Sequence, residues 1–185
     1  MADRRPPTAV LLIVAAFSRY EEAIAWSVGR LSAEFGPIAH TSPPYDFHYT
    51  DYYQATMGHG LRKQFFVHES LVDPARLADI KRRTIAMEQE VADSGRFPEA
   101  RPLNLDPGLL GLGKFILATT KDQAHRIYLR DGIFAEVTLR FQDGEFHAWP
   151  WTYRDYQEPF VREFLRTARD VYRQRLVQRE SDADD

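Results

Sequence analysis

Within eight residues, Thr119-Thr120-Lys121-Asp122-Gln123-Ala124-His125-Arg126, the chain sets two hydroxyls, two cations, a carboxylate and an imidazole. Backbone amides in a turn, with Lys121 and Arg126 beside them, suit a phosphate or carboxylate, because N–H donors and fixed positive charge then converge on one anion. His125 with Glu136 is the pair best fitted to move a proton near neutral pH, and Asp122 is a second carboxylate able to exchange protons with His125. Arg140 adds a cation. Asn104, Asp106 and Tyr128 can orient ligand hydroxyls, and Tyr52, Tyr53 and Trp151 offer faces on which a planar ring stacks. The same residues have plainer readings: a polar turn capped by Asp122, a Pro-Gly reversal at Asn104-Leu105-Asp106-Pro107-Gly108, and a cross-strand ion pair between Arg126 and Glu136.

Much chemistry is excluded outright. With no cysteine there is no thiolate nucleophile, disulfide or cysteine-ligated metal. The six histidines follow no HxxxH or HExxH spacing. His48, His125 and His147 are the ones in ligand-rich surroundings, and no metal is assigned to them. Gly108, Gly111 and Gly113 in GLLGLGK lack the spacing of a phosphate loop, so no cofactor can be named. A net charge of -3 gives no global reason to expect nucleic acid or an anionic membrane. The apolar run VLLIVAAF is too short to span a bilayer and reads as a core strand, so a cytoplasmic chain off the membrane is expected.

The elements that must position these residues follow from pattern. At 185 residues the chain is long enough for one domain with its own core. Residues 1–7 read as a flexible lead-in, 8–177 as a single α+β domain and 178–185 as a disordered acidic tail. Val10 to Phe17 is apolar without alternation, as in a strand buried on both faces. Ser18 and Glu21 suggest a capping box opening a helix with Ile24, Val28, Leu31 and Phe35 on one stripe. Pro37 to Tyr45 is a poorer strand, weakened by Pro43-Pro44, and a tyrosine-rich loop follows it. Leu61 to Leu71 makes another strand. Asp73-Pro74 starts a second helix striped by Leu77, Ile80, Thr84, Met87 and Val91.

The strongest strand pattern is Ile133 to Phe141, where Ile133, Ala135, Val137, Leu139 and Phe141 should share an apolar face. A three-residue loop, Arg130-Asp131-Gly132, would place Ile127 and Leu129 beside Ala135 and Ile133, and Arg126 opposite Glu136. A two-residue turn at Asp143-Gly144 pairs Phe141 with Phe146, Leu139 with Ala148 and Arg140 with His147. The other face then carries Arg126, Tyr128, Phe134, Glu136, Thr138, Arg140, His147 and Trp149, and is the expected ligand surface. Pro159 opens a closing helix. The order matches a ferredoxin-like split βαβ: an antiparallel sheet with helices on one face, extended by a C-terminal β-meander.

NLDPG, the run TTKDQAHRIYL with DGIFAEVTL, and PWTYRDY together resemble a bacterial and archaeal family of unknown function, over most of the chain. Some members carry an automatic GTP-binding label; this chain has no Walker loop to go with it. The resemblance sets Thr56 where the family often has glutamate, and Arg154 where proline is common. The leading expectation is therefore a small anionic ligand, phosphorylated or carboxylated, on the polar sheet face. Two alternatives are single-stranded RNA on that face and a partner protein on the Tyr45 to Tyr53 segment.

Overall fold

A computed structural model describes residue 3 and residues 6–183, so the expected flexible lead-in falls partly outside the described residues. β1 (Val10–Ser18) is central because its side chains are apolar both ways: Leu12, Val14 and Ala16 join one core, Leu11, Ile13 and Ala15 the other. α1 (Glu21–Phe35) follows, without the expected capping box. Ser18 Oγ instead accepts the Tyr20 N–H and donates to the Pro102 carbonyl, while Glu21 pairs with Arg62. β2 (Ile38–Thr41) and the two-residue β3 (Tyr45–Asp46) lie on the outer edge of β4 (Arg62–Val72), separated by the proline pair. Between β3 and β4 runs the tyrosine-rich segment with a single turn, α2 (Gln54–Met57). α3 (Leu77–Asp93) starts after a short 3-10 turn where Asp73 accepts the Ala75 N–H.

The fold is α+β. The strand order β2-β4-β1-β5, every neighbour antiparallel, interleaves two βαβ units, with α1 and α3 on one face. β5 (Asn104–Leu110) is the stretch whose Asp-Pro-Gly was expected to turn. It runs straight because it is held along β1, from Phe17 opposite Asn104 to Leu11 opposite Leu110.

The rest of the sheet is β6 (Lys114–Thr119), β8 (Ile133–Gln142) and β7 (Ile127–Arg130), with β9 (Glu145–Ala148) also on β8. A simple meander is not what forms. β6 pairs along one edge of β8, so β7 and β9 share the other edge end to end. Ile127 lies opposite Ala135, as the pattern implies, but by another route: Asp131 and Gly132, both at positive φ, make a two-residue turn between Arg130 and Ile133, and a bulge at Leu129 restores the register. At the second turn Arg140–His147, Phe141–Phe146 and Leu139–Ala148 pair as expected.

Two corrections concern faces. The ladder of β8 slips by one residue around Thr138, so Ile133 and Ala135 face α1 and α3, whereas Leu139 and Phe141 face the other way. Alternation was read through a bulge that the sequence does not mark. Nor is the second face open. α4 (Pro159–Ala183) packs Val161, Leu165, Ala168 and Tyr172 onto it against Phe65, Phe115 and Leu139, and runs on into the acidic stretch expected to be disordered. The helix closes back because β1 and β4 are apolar on that side too.

Candidate functional site

The sheet forks where β5 and β6 part. On the β5 side, β6 pairs only with Gly108–Leu110. Pro107 has no N–H to donate, and beside it Gly108 lets Phe115 lie flat, since a Cβ there would stand 2.4 Å from the ring. Below Gly108 the outer edge of β5 is finished by side chains of α3: Glu88 Oε1 accepts the Leu105 N–H at 2.7 Å, and Lys81 Nζ donates to the Leu105 carbonyl at 2.8 Å.

Into this fork opens a cleft of about 460 Å³. Asn104 and Asp106 of β5, Leu117–Thr119 of β6 and Glu136 of β8 line it from the sheet. Over it lie the tyrosine-rich segment, with Phe47, Tyr49, Tyr52 and Tyr53, and the link from β9 to α4, with Trp151 to Tyr156. The first cover is pinned by a small apolar cluster, where Phe47 stacks on Phe17 at 5.0 Å beside buried Met57 and Leu61. The second plugs the gap between β7 and β9 on the edge of β8: Trp151 Nε1 donates to the Val137 carbonyl and Thr152 Oγ1 to that of Thr138, at 3.1 and 2.6 Å.

Several of the ionised groups come in pairs, buried to different depths. Lys63 and Asp155, both 3% exposed, meet at 2.6 Å, with the Lys63 ammonium among the Phe17, Phe47, Phe65 and Tyr156 rings. Lys81 reaches Asp106 at 3.2 Å, and Arg101 meets Glu88 at 3.0 Å. Burial pushes the Glu88 carboxyl up despite Lys81 and Arg101. Burial also presses on Asp106, but Lys81 and Lys63 outweigh it and hold that carboxyl below its usual value. Burial, reinforced by Glu136, pushes the Tyr153 phenol up to about 12.

Arg126 and Glu136 stand side by side at 2.8 Å, but the pair is nearly shut off from solvent. Arg126 also donates to the Lys121 carbonyl and the Tyr153 hydroxyl, clasping the turn after β6 to the cover. Glu136 Oε2 is shared with His125 Nε2 at 3.2 Å, and Oε1 takes the Thr138 hydroxyl. His125 stacks on Trp151, which stacks on Trp149, and Arg140 lies over that last ring.

Of the residues singled out from sequence, Asn104, Asp106, Lys121, Glu136, Tyr52, Tyr53 and Trp151 meet at the cleft. Arg126 and His125 stand behind its wall. Asp122 is exposed in the turn, Tyr128 is exposed on β7 against Phe134, and Arg140 is exposed on the far side of the β8 bulge; none of the three lines the cleft. The set expected on one sheet face is therefore divided. Lys63, Lys81, Arg101 and Asp155 were passed over. Lys81 and Glu88 did leave a signal, two opposite charges seven residues apart on the inward side of α3, Lys81 among its buried positions and Glu88 half-buried beside Met87. Lys63 left a similar one, at an inward position of β4 two before Phe65.

The family model for a domain of unknown function, DUF4416, matches residues 7–172. The chain belongs to that family. No curated protein and no solved structure matches it. In this DUF4416 chain the stretches around Asp106, Lys121 and Trp151 come from separate elements and face one cleft. Thr56, on α2, is exposed and outside the lining. Among the described residues, no cluster of three or more His, Asp or Glu is disposed to hold a metal, and no helix is long and apolar enough to cross a membrane.

Proposed function

We propose that the cleft binds a small organic anion, phosphorylated or carboxylated. One observation carries the reading: Lys121 and Arg154 line the cleft without a carboxylate partner among the described residues, whereas Lys63, Lys81 and Arg101 are all matched. Lys121 Nζ sits 3.7 Å from the centre of the Tyr52 ring, which holds a cation at the entrance. The volume suits a ligand of drug size, and aromatic walls with a few polar groups are the usual lining of such a site.

Acid–base catalysis by His125 and Glu136 has less support, since both Glu136 oxygens are engaged and His125 stands outside the lining. Single-stranded RNA needs an open aromatic and arginine-bearing sheet face, which α4 largely occupies. A partner protein on the Tyr45 to Tyr53 segment would compete with that segment's own packing on Phe17 and Asp155. Thermal shifts of the full chain against a panel of organic phosphates and carboxylates test the anion reading. Stabilisation that a Lys121→Gln/Arg154→Gln variant loses supports it, and hits that ignore both substitutions refute it.

A further inference from the structure

If the cleft is an anion site, its inner wall also states which way round the ligand lies. At the deep end, Asn104 of β5 stands opposite Phe17 of β1, and Phe17 opposite Lys63 of β4. Side chains in such a row are near neighbours on one face. The Tyr156 ring closes over the row, 4.5 Å from Lys63 Nζ. Asn104 Oδ1 accepts from Arg101, but Asn104 Nδ2 has no hydrogen-bond partner among the described residues, and neither has the Tyr156 hydroxyl. Both residues are 1% exposed and both line the cleft. A buried polar group without a partner is costly and uncommon, and of the five such side-chain atoms among the described residues these two belong to residues that line the cleft. Burial, reinforced by Asp155, drives the Tyr156 phenol far up, so its hydroxyl keeps its proton and can donate.

The charges at this end cancel. Lys63 is matched by Asp155 and Lys81 by Asp106, and the carboxylate of Glu136 stands on the same wall. A second anion placed there would find each cation already held by a carboxylate. A neutral acceptor needs no free cation. The unmatched cations, Lys121 and Arg154, lie on less buried stretches of the lining, and the rings of Phe47, Tyr53 and Trp151 belong to the same cleft.

We propose that the ligand is a planar molecule with a neutral carbonyl-type acceptor at one end and its phosphate or carboxylate at the other, and that it enters acceptor first. Asn104 Nδ2 and the Tyr156 hydroxyl donate to the acceptor at the inner wall, the aromatic rings flank the plane, and Lys121 with Arg154 holds the anion at the entrance.

Calorimetric titration of the full chain with inorganic phosphate, phenyl phosphate and 4-acetylphenyl phosphate tests this, the last probe adding one carbonyl opposite the anion. Benzoate against 4-acetylbenzoate asks the same question with a carboxylate. The acetyl probes should bind more tightly than their parents. Tyr156→Phe should lower that preference about tenfold, the worth of one hydrogen bond, while leaving the phenyl probe unchanged. Asn104→Asp, which keeps an acceptor for Arg101 but removes the donor, should also lose the preference. Lys121→Gln should weaken every probe that binds.

A wild-type chain that does not prefer the acetyl probes, or a preference that survives Tyr156→Phe, overturns the orientation; if Lys121→Gln still weakens binding, the anion site itself stands. Binding of none of the five probes at millimolar concentration overturns both. Tyr156→Phe removes a hydroxyl with no partner among the described residues, so its melting curve should match wild type and a folding defect would be visible.

Discussion

The two halves of β5 solve one problem in opposite ways. Gly108–Leu110 gives its outer edge to β6, and the ladder there is ordinary backbone pairing. The half before it has no strand beside it; an ammonium and a carboxylate from α3 serve the Leu105 carbonyl and amide instead. Backbone groups buried without partners are rare, so an edge that loses its neighbour inside a protein must be finished by something. Finishing it with side chains leaves space where the next strand would have run. In this chain the cleft opens into that space, and the charges that finish the edge also line it or stand just behind it.

The half finished by side chains should be the more fragile. Lys81→Met removes the partner of Asp106 and the donor to the Leu105 carbonyl at once, and should cost about 3 kcal/mol in denaturant unfolding. A loss below about 1 kcal/mol would mean that the ammonium is incidental to the edge. In the ladder half, Gly108→Ala drives a Cβ against the Phe115 ring and within 2.8 Å of the Ile116 carbonyl, and should cost about 2 kcal/mol by overpacking. Hydrogen exchange separates the halves directly. Glu88→Ala should speed exchange at the Leu105 amide while the amides of Gly108–Leu110 keep their protection.

The smaller effects sharpen the picture. Asp106 has its folded pKa depressed, so its contribution to stability is present above the unfolded pKa, near 4, and is lost as pH falls through the folded value. Glu88 works in the opposite sense. Its folded pKa is raised, so it costs stability as pH rises from about 4.5 through that higher value. Asp106→Asn should therefore flatten the acid limb of the stability profile, and Glu88→Gln should remove a decline on the rising side; equilibrium unfolding at a series of pH values reads both. Least of all, Tyr156→Phe should change stability by no more than about 0.5 kcal/mol, because its hydroxyl has no partner among the described residues to lose.

How far the pattern reached can be judged at particular places. The Asp143-Gly144 turn set its hairpin because both residues accept positive φ and the Phe141–Phe146 pair admits one register. At Asp131-Gly132 Ile127 came opposite Ala135 as read, but Arg130 and not Leu129 stands opposite Ile133, because a two-residue turn and a bulge form where a three-residue loop was expected. The Asp-Pro-Gly of β5 misled because turn chemistry is local, while pairing with β1 is not. Arg126 and Glu136 were joined as expected, yet as a buried clasp instead of an open ion pair.

Local pattern alone set most of the elements, the central place of a strand apolar on both sides, the α+β class, and some of the polar residues that line the cleft, Asn104, Asp106, Lys121 and Glu136 among them. Periodicity and turn preference act over a few residues, and a single chain carries them in full. Tertiary structure alone decided that α4 covers the second face, that the ladder slips at Thr138, and that the sheet forks where Lys81 and Glu88 take the place of a strand. Each of these depends on which distant groups satisfy a buried backbone edge or an apolar face, and that choice is made only when the whole chain packs.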